Sequence, residues 1–398
     1  MKLDDVAVDR SGMSSTLRAT VHANALGPDG FRLECSFEGL DPDTELRAGD
    51  ALLAFLLLPA MAYGETLDLG SLTVSQKLLA ALDDLQNVYC AWSLGLERVR
   101  VEANPEERKP AGVGRAQFFS GGVDSWYSLL ASQDEGSTPT HLFFLVGFDM
   151  AADQRRRIAA AQSVAITTAD DFGARLVVSR SNLRTLTDRL IDWRLYHGSY
   201  LAATALALGE ELSLCRIPSS LSPESAGTTW GSHPDLDYLW STENLAIEQS
   251  GEQILRIDKM RRVVRNDRAL KTLRVCWQSE DVYNCGHCRK CALTMAVLRV
   301  LDKLEAAETF PDELNLRALS RLDTTFPYSE RRSLVLALIP LAEARNDTDL
   351  ARTLRKTFRS KYVRADRYLE FARKWLSGEN KPRVKMRLAP HKGITDSG

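Results

Sequence analysis

Phe118-Phe119-Ser120-Gly121-Gly122-Val123-Asp124-Ser125 joins an apolar, strand-like run (Arg115–Phe119) to a helix-like one that opens at Ser125. Two adjacent glycines let the backbone turn tightly, approach an anion closely and present successive N–H groups. The helix start behind them adds unpaired donors and the positive end of its dipole. Ser120 and Ser125 contribute hydroxyls. Such a loop suits a phosphate or pyrophosphate. Asp124 is out of place in a pure anion nest unless a cation or an adjacent donor offsets its charge, and a Mg²⁺ ion shared with phosphates would do so. The bland alternative is a Gly-Gly turn between a buried strand and a helix.

Outward from this loop, residues 113–300 alternate strand and helix patterns. His141–Val146, Ala174–Val178 and Leu212–Ile217 read as short apolar strands. Gln154–Phe172 and the Ala-rich His197–Leu208 read as helices between them. Buried strands separated by helices indicate an α/β fold with a parallel sheet covered on both faces. Ligands then bind beyond the C-terminal strand ends, where the loops 120–125, 147–150 and 218–222 fall. Gly147-Phe148-Asp149 is a candidate adenosine contact there, or an ordinary strand-to-helix turn.

The 398 residues exceed one ordinary core, so two or three domains are expected. An apolar content of 44% and a charged content of 26% are those of a soluble globular chain. A net charge of −2 gives no global drive towards nucleic acid or anionic membrane. Met1-Lys2-Leu3-Asp4-Asp5 leads into no apolar h-region, and Ala51–Leu58 stops at Pro59, too short for a bilayer. A cytoplasmic location without membrane contact is the expectation. Seven cysteines in such a chain point to thiols or a metal site, not disulfides.

Residues 1–112 form a first, α+β unit, with strands at Thr16–Ala23, Phe31–Phe37 and Arg98–Val101, and a helical pattern over Ser75–Trp92. Ala51–Leu58 reads as a buried strand or helix. Asn104–Pro110 reads as a polar linker. No recognisable chemistry lies in this unit, which reads as a scaffold or substrate-shaping appendage. Residues 301–398 read as a helical, basic C-terminal unit. Arg355, Lys356, Arg359, Lys361 and Arg364 alternate there with Phe358, Tyr362, Tyr368 and Trp375. Basic and aromatic residues together can grip nucleic acid, but an amphipathic helix packed on the core is the preferred reading.

Cys285-Gly286-His287-Cys288-Arg289-Lys290-Cys291 is the second strong signal, with Cys276 nine residues upstream. Four thiolates suit a closed tetrahedral Zn²⁺ site, and Gly286 allows the tight turn between the first ligands of the cluster. His287 as a substitute ligand and an iron–sulfur cluster are the alternatives. Cys35, Cys90 and Cys215 are isolated and read as core residues.

The Ser-Gly-Gly-x-Asp-Ser loop resembles the PP-loop of the ATP pyrophosphatases, and no Lys-Ser or Lys-Thr closes it as in a Walker A loop. With Cys276, Cys285, Cys288 and Cys291 following in Cys-x8-Cys-x2-Cys-x2-Cys spacing, residues 115–300 are similar to the 7-cyano-7-deazaguanine synthase (QueC-like) family, in which four such cysteines hold structural zinc. Lys259–Val264 and Arg274–Trp277 correspond loosely to further family segments. The departures lie on the acceptor side. Val123 replaces the usual Gln. Tyr196-His197-Gly198-Ser199 and Gly231–Asp237 stand where the family has Pro-x-Arg-Asn and Tyr-Pro-Asp-Cys.

The resemblance implies ATP, Mg²⁺ and Zn²⁺, and an AMP-forming ligase. A carboxylate or carbonyl oxygen is adenylated, pyrophosphate leaves, and ammonia or an amine displaces AMP. Gly121, Gly122, Val123, Asp124 and Ser125, with the Ser120 hydroxyl, would hold the pyrophosphate, and Asp124 would orient Mg²⁺. Lys259 is a candidate for neutralising phosphate charge. His233 is a candidate general base, with solvation or helix capping as the alternative. His197, Asp235 and Asp237 are further acceptor-side candidates, and Asp192 reads as a helix-terminus residue. The acceptor would be a small molecule, a modified base or a peptide end. Nucleic acid is not favoured, and a homodimer is left open. The alternatives are a tRNA-thiolation enzyme using the same loop and a non-catalytic nucleotide-binding module.

Overall fold

The computed structural model describes residues 1–148, 150, 153–225, 227–276, 278, 282–322, 329–359 and 383–386. Its strands are β1 Lys2–Ser11, β2 Ser14–His22, β3 Phe31–Glu38, β4 Leu67–Ser75, β5 Ser93–Leu94, β6 Val101–Glu106, β7 Gly114–Phe118, β8 His141–Val146, β9 Arg175–Ser181, β10 Leu212–Pro218, β11 Ala246–Ser250 and β12 Lys385–Met386. Ten of them make one sheet in the order β11-β10-β7-β8-β9-β3-β2-β1-β4-β6, while β5 pairs with β12 apart from it. From β11 to β9 all neighbours are parallel. The pairs β9–β3, β3–β2 and β2–β1 are antiparallel, and β1–β4 and β4–β6 are parallel again. The α/β reading with a mostly parallel sheet is therefore observed.

The first unit and the loop-bearing region share this sheet. β3 pairs with β9 from Cys35↔Ser181 to Glu38↔Val178. The expected linker is in part a strand, since β6 extends to Glu106 and pairs Asn104 with Thr73 and Pro105 with Val74. Pro105 is tolerated because β6 lies at the sheet edge, where a missing N–H costs no ladder bond. Arg108, beyond it, is buried in an ion pair with Asp50, whose other oxygen accepts from the Ser75 amide at 2.8 Å. The helical pattern over Ser75–Trp92 is realised as two helices, Gln76–Ala80 and Leu82–Trp92.

Side-chain alternation divides two cores between the sheet faces. Phe143 packs in one, Leu142 and Phe144 in the other. On the first face lies the helix Ala48–Tyr63, buried at every residue from Gly49 to Ala62. Apolar on all sides, it is sandwiched rather than draped on a surface. It packs against the helix Trp193–Ala207, where the Tyr196 hydroxyl donates to the Phe55 carbonyl at 2.7 Å and Ser199 to that of Ala54. On the second face lie the helices Val123–Asp134, Arg155–Asp171, Arg256–Val263 and Arg289–Val300, with Ser329–Ala344 and Thr348–Arg359 behind. In Thr348–Arg359, Leu350, Ala351 and Leu354 are buried while Arg352, Arg355 and Lys356 face solvent, an amphipathic helix packed on the core. The basic and aromatic positions from Lys361 to Trp375 lie outside the described residues. Among those described, no helix is long and apolar enough to cross a membrane.

Candidate functional site

Strand β7 has β8 on one side and β10 on the other. Chain order reverses there, and the crevice beyond such a switch point is where open parallel sheets place ligands. Residues 119–122 leave β7 at that point. Phe119 N donates to Phe143 O at 2.8 Å, anchoring the loop to β8. Gly121 has φ +72°, a left-handed conformation that a side chain would strain. Gly122 is the N-cap of the helix Val123–Asp134, and no side chain caps that end. The orphan amides of the first turn are thus left for a ligand. Ser125 Oγ donates to Gly122 O at 3.0 Å and lies 3.5 Å from Ser120 Oγ, placing both hydroxyls together.

A cavity of about 270 Å³ opens against this loop. Its walls include Ser120, Gly122, Val123, Asp124 and Ser125, then Phe148, Trp193, His197 and Trp230 on an aromatic side. Arg194, Arg256, Arg274 and Lys290 are cationic members of the lining, and Asp124 is its one carboxylate among the described residues. Arg194 is paired with Asp192 and Arg256 with Asp124, and the remaining positive charge of the lining suits an anion. Tyr283 points its hydroxyl close to Gly121, and that shielded oxygen has no partner among the described residues.

Asp124 is offset by side chains of the chain itself. Arg256 Nη1 donates to both carboxylate oxygens at 2.8 and 2.7 Å, and Lys259 Nζ lies 3.4 Å from one of them. Burial raises the Asp124 pKa, but Arg256 and then Lys259 outweigh it and hold the carboxyl below its ordinary value. Lys259 is buried, with Nζ donating to Ser219 O at 2.7 Å and Leu221 O at 3.3 Å. It ties the loop after β10 to Asp124 and is absent from the cavity wall, so the expected phosphate contact is replaced by a positioning one. Arg256, like Arg274 on the same cavity wall, is a candidate site residue that sequence reading missed. Its signal was available: it stands three residues before Lys259, on the same face of one helix.

Of the pair Gly147 and Phe148, only Phe148 is part of the cavity wall. Gly147 has φ +83°, and Phe148 lines the cavity with its ring 4.8 Å from that of Trp193. His197 lines it too, stacked edge-on with Trp230 at 5.3 Å. Asp192 caps the helix Trp193–Ala207, accepting from Arg194 N at 3.0 Å.

His233 is not brought to the loop. Its Nδ1 accepts from Asp235 N at 3.0 Å as the N-cap of the turn Pro234–Asp237, and its ring packs 5.0 Å from Trp92. It is buried and is not part of the cavity wall, so the geometry assigns it capping in place of the expected general-base role. Asp235 is exposed on the same turn. Asp237 is fully buried behind Ser232, accepting from Ser232 Oγ at 2.7 Å and Gln249 Nε2 at 2.9 Å, and burial pushes its pKa up to about 7. Residues 230–237 precede β11, which adds an edge to the parallel sheet.

The four cysteines converge. The sulfurs of Cys276, Cys285, Cys288 and Cys291 all lie within 4.8 Å of one another. Cys285–Cys291 and Cys288–Cys276 are each 3.9 Å apart. A tetrahedral ion with bonds of about 2.3 Å holds its sulfurs about 3.8 Å apart, so the set can hold a single metal ion such as zinc. Cys288 N donates to Cys285 Sγ at 3.3 Å and Cys291 N to Cys288 Sγ at 3.4 Å, which favours thiolates. The Cys291 thiol outweighs burial and pulls the Cys288 pKa below its ordinary value, while the same contact pushes that of Cys291 up. His287 turns Nδ1 to the Cys285 carbonyl at 2.7 Å and is not part of the cluster. Cys276 also lines the cavity, so metal centre and crevice share a wall.

Comparison with protein-family models, with curated proteins and with solved structures returns no match for this chain.

Proposed function

We propose that the chain is an ATP-dependent, AMP-forming ligase of the QueC-like PP-loop kind. It would adenylate a carboxylate or carbonyl oxygen, release pyrophosphate and pass the activated group to ammonia or an amine. The observation that carries the reading is the uncapped helix end behind Gly121-Gly122, set at the switch point and facing a crevice of four cations and one carboxylate. The loop amides and the Ser120 and Ser125 hydroxyls hold the leaving pyrophosphate. Arg256 and Arg274, with Lys290 at the rim, offset charge that builds on it. Asp124 is the protein carboxylate that would meet a magnesium ion carried in on the phosphates, and the ion would supply further charge neutralisation. Phe148 and the Trp193–His197–Trp230 wall give planar groups a surface to stack on. The acceptor class is a small carboxylate, a modified base or a peptide end.

The cysteines argue against the thiolation reading. Burial raises the pKa of Cys35 to about 12 and that of Cys215 strongly, and Cys90 is also raised. Sulfur transfer needs a ready thiolate, and the four remaining cysteines are gathered for metal. ATP–pyrophosphate exchange, screened over carboxylic acids with magnesium, tests the proposal. Acid-dependent exchange in the wild type, lost in a Ser120→Ala/Ser125→Ala double variant, is the expected result. ATP binding without exchange for any acid or amide would move the chain to a non-catalytic nucleotide-binding module.

A further inference from the structure

Between the phosphate loop and the metal centre runs a short non-helical segment, Leu273 to Cys276, whose contacts go in both directions. Arg274 is buried, and it is the residue that meets the loop. Its backbone N donates to Gly121 O at 2.8 Å. Its guanidinium forks onto Ser120 O, Nε at 3.2 Å and Nη2 at 3.1 Å, while Nη1 reaches Cys276 O at 3.4 Å. Both glycines face the same segment: a Cβ at Gly121 would meet Arg274 Cβ at 3.8 Å, and one at Gly122 would meet Arg274 O at 3.5 Å.

Two consecutive loop carbonyls are therefore pinned by one residue. In a trans peptide the C=O and the following N–H point in opposite directions. Holding the Ser120 and Gly121 carbonyls fixes where the Gly121 and Gly122 amides aim. Glycine has no side chain to restrict it; within the loop the Ser120 hydroxyl accepts from the Gly122 amide at a long 3.4 Å, and Arg274 adds the restraint from outside.

The other end of the segment depends on the cysteine cluster. Asn284 Oδ1 accepts from Val275 N at 2.9 Å and Cys276 N at 3.1 Å, and its amide donates to Leu273 O at 2.8 Å. Asn284 precedes Cys285, and Cys276 is itself one of the four sulfur donors. A bound ion would lock Cys276 to the 285–291 turn, and with it the segment that carries Arg274.

We propose that the four-cysteine site sets the conformation of the phosphate loop, with Arg274 as the positioning residue that couples the two. The consequence for nucleotide affinity rests on the ligase reading above; the coupling does not. Binding energies are reciprocal, so a ligand seated in the loop raises the affinity for the ion by the same factor.

Hydrogen exchange read by mass spectrometry on the full chain tests this, comparing zinc-loaded protein with protein stripped by a chelator. The expected result is exchange about tenfold faster in residues 119–126 after stripping, with the helix Ala48–Tyr63 unchanged. Arg274→Lys keeps the cation and the backbone bond but loses the fork. It is expected to speed loop exchange to a similar degree while one zinc per chain is retained. Loop exchange indifferent to both changes overturns the coupling. If stripping loosens the whole chain, the Arg274→Lys arm decides alone: fast loop exchange with zinc bound supports the proposal, and wild-type exchange overturns it. Calorimetry with Mg-ATP separates the two readings. ATP binding with an unmoved loop refutes the coupling and leaves the ligase reading intact. A loop loosened by stripping in a chain that binds no Mg-ATP keeps the coupling and refutes the ligase reading.

Discussion

Gly198→Ala is expected to open the cavity wall by displacing the loop that carries Trp230. A Cβ at residue 198 would lie 1.7 Å from Gly231 O, 2.4 Å from Gly231 C and 2.8 Å from Ser232 N. Ordinary contact begins near 3.4 Å, so the helix and the 230–232 loop must part by roughly 1.7 Å. The helix cannot yield. Tyr196, Ser199 and Tyr200 are fully buried on it, and the first two are bonded to carbonyls of the helix Ala48–Tyr63. The loop must move, breaking the bond from Gly231 N to Arg194 O (2.7 Å) and drawing Trp230 off His197. Overpacking costs about 1–3 kcal/mol and the lost hydrogen bond about 1 kcal/mol. A total near 3 kcal/mol is expected as a lower urea midpoint at unchanged m-value, together with weakened Mg-ATP binding. Gly27→Ala, with no atom within 4 Å of the added carbon, is the control and is expected within about 0.5 kcal/mol of wild type. A Gly198→Ala protein as stable as that control would refute the claimed backbone contact.

Asp237 holds its proton up to about pH 7 in the folded chain, whereas an unfolded carboxyl loses it near 3.8. The folded state thus binds more protons between those values, and stability falls as pH rises through the window, by at most about 4 kcal/mol. Asp237→Asn removes that slope, and urea midpoints measured from pH 4 to 7 that decline equally in both proteins would disprove it. Asp124 behaves oppositely: its lowered pKa gives stability that is present above the ordinary carboxylate value and lost as pH falls through the folded one. Since the Asp124 and Arg256 side chains are each 21% exposed, Asp124→Asn is expected to cost about 1–3 kcal/mol at pH 7, and to abolish exchange. Exchange at the wild-type rate would remove Asp124 from the chemistry. His233→Ala is expected to cost about 1 kcal/mol as a lost cap, while the pH profile of exchange keeps its shape; a vanished limb in that profile would restore His233 as a base.

The loop and the cysteine set were legible because each is short and local. Gly121-Gly122 between an apolar strand and a helix announces a turn, and Cys-x2-Cys-x2-Cys can fold around one centre with few long-range contacts. The strands β7, β8 and β10 were visible as apolar runs, since buried parallel strands need no partner pattern to stand out. Less was visible where pairing decides the outcome. β11 and β4 are short or partly exposed, and Glu248 or Gly70 within them dilutes the signal. Pro105 reads as a linker residue until the sheet edge is known. His233 looked like a base because a histidine beside Pro and Asp carries no mark of whether its nitrogens face solvent, a ligand or a backbone amide.

From sequence came the groups available to this protein: a glycine-rich strand-to-helix loop, a four-sulfur set, and an α/β frame whose strand ends carry the loops. These follow from local backbone preference and from ligand spacing. Tertiary structure alone decided that residues 1–112 extend the same sheet, that Arg256 and Lys259 neutralise Asp124, and that Arg274 bridges loop and cysteines. Each of those depends on strand order and on contacts between residues more than a hundred positions apart, which no local pattern encodes because burial and charge pairing are properties of the assembled core.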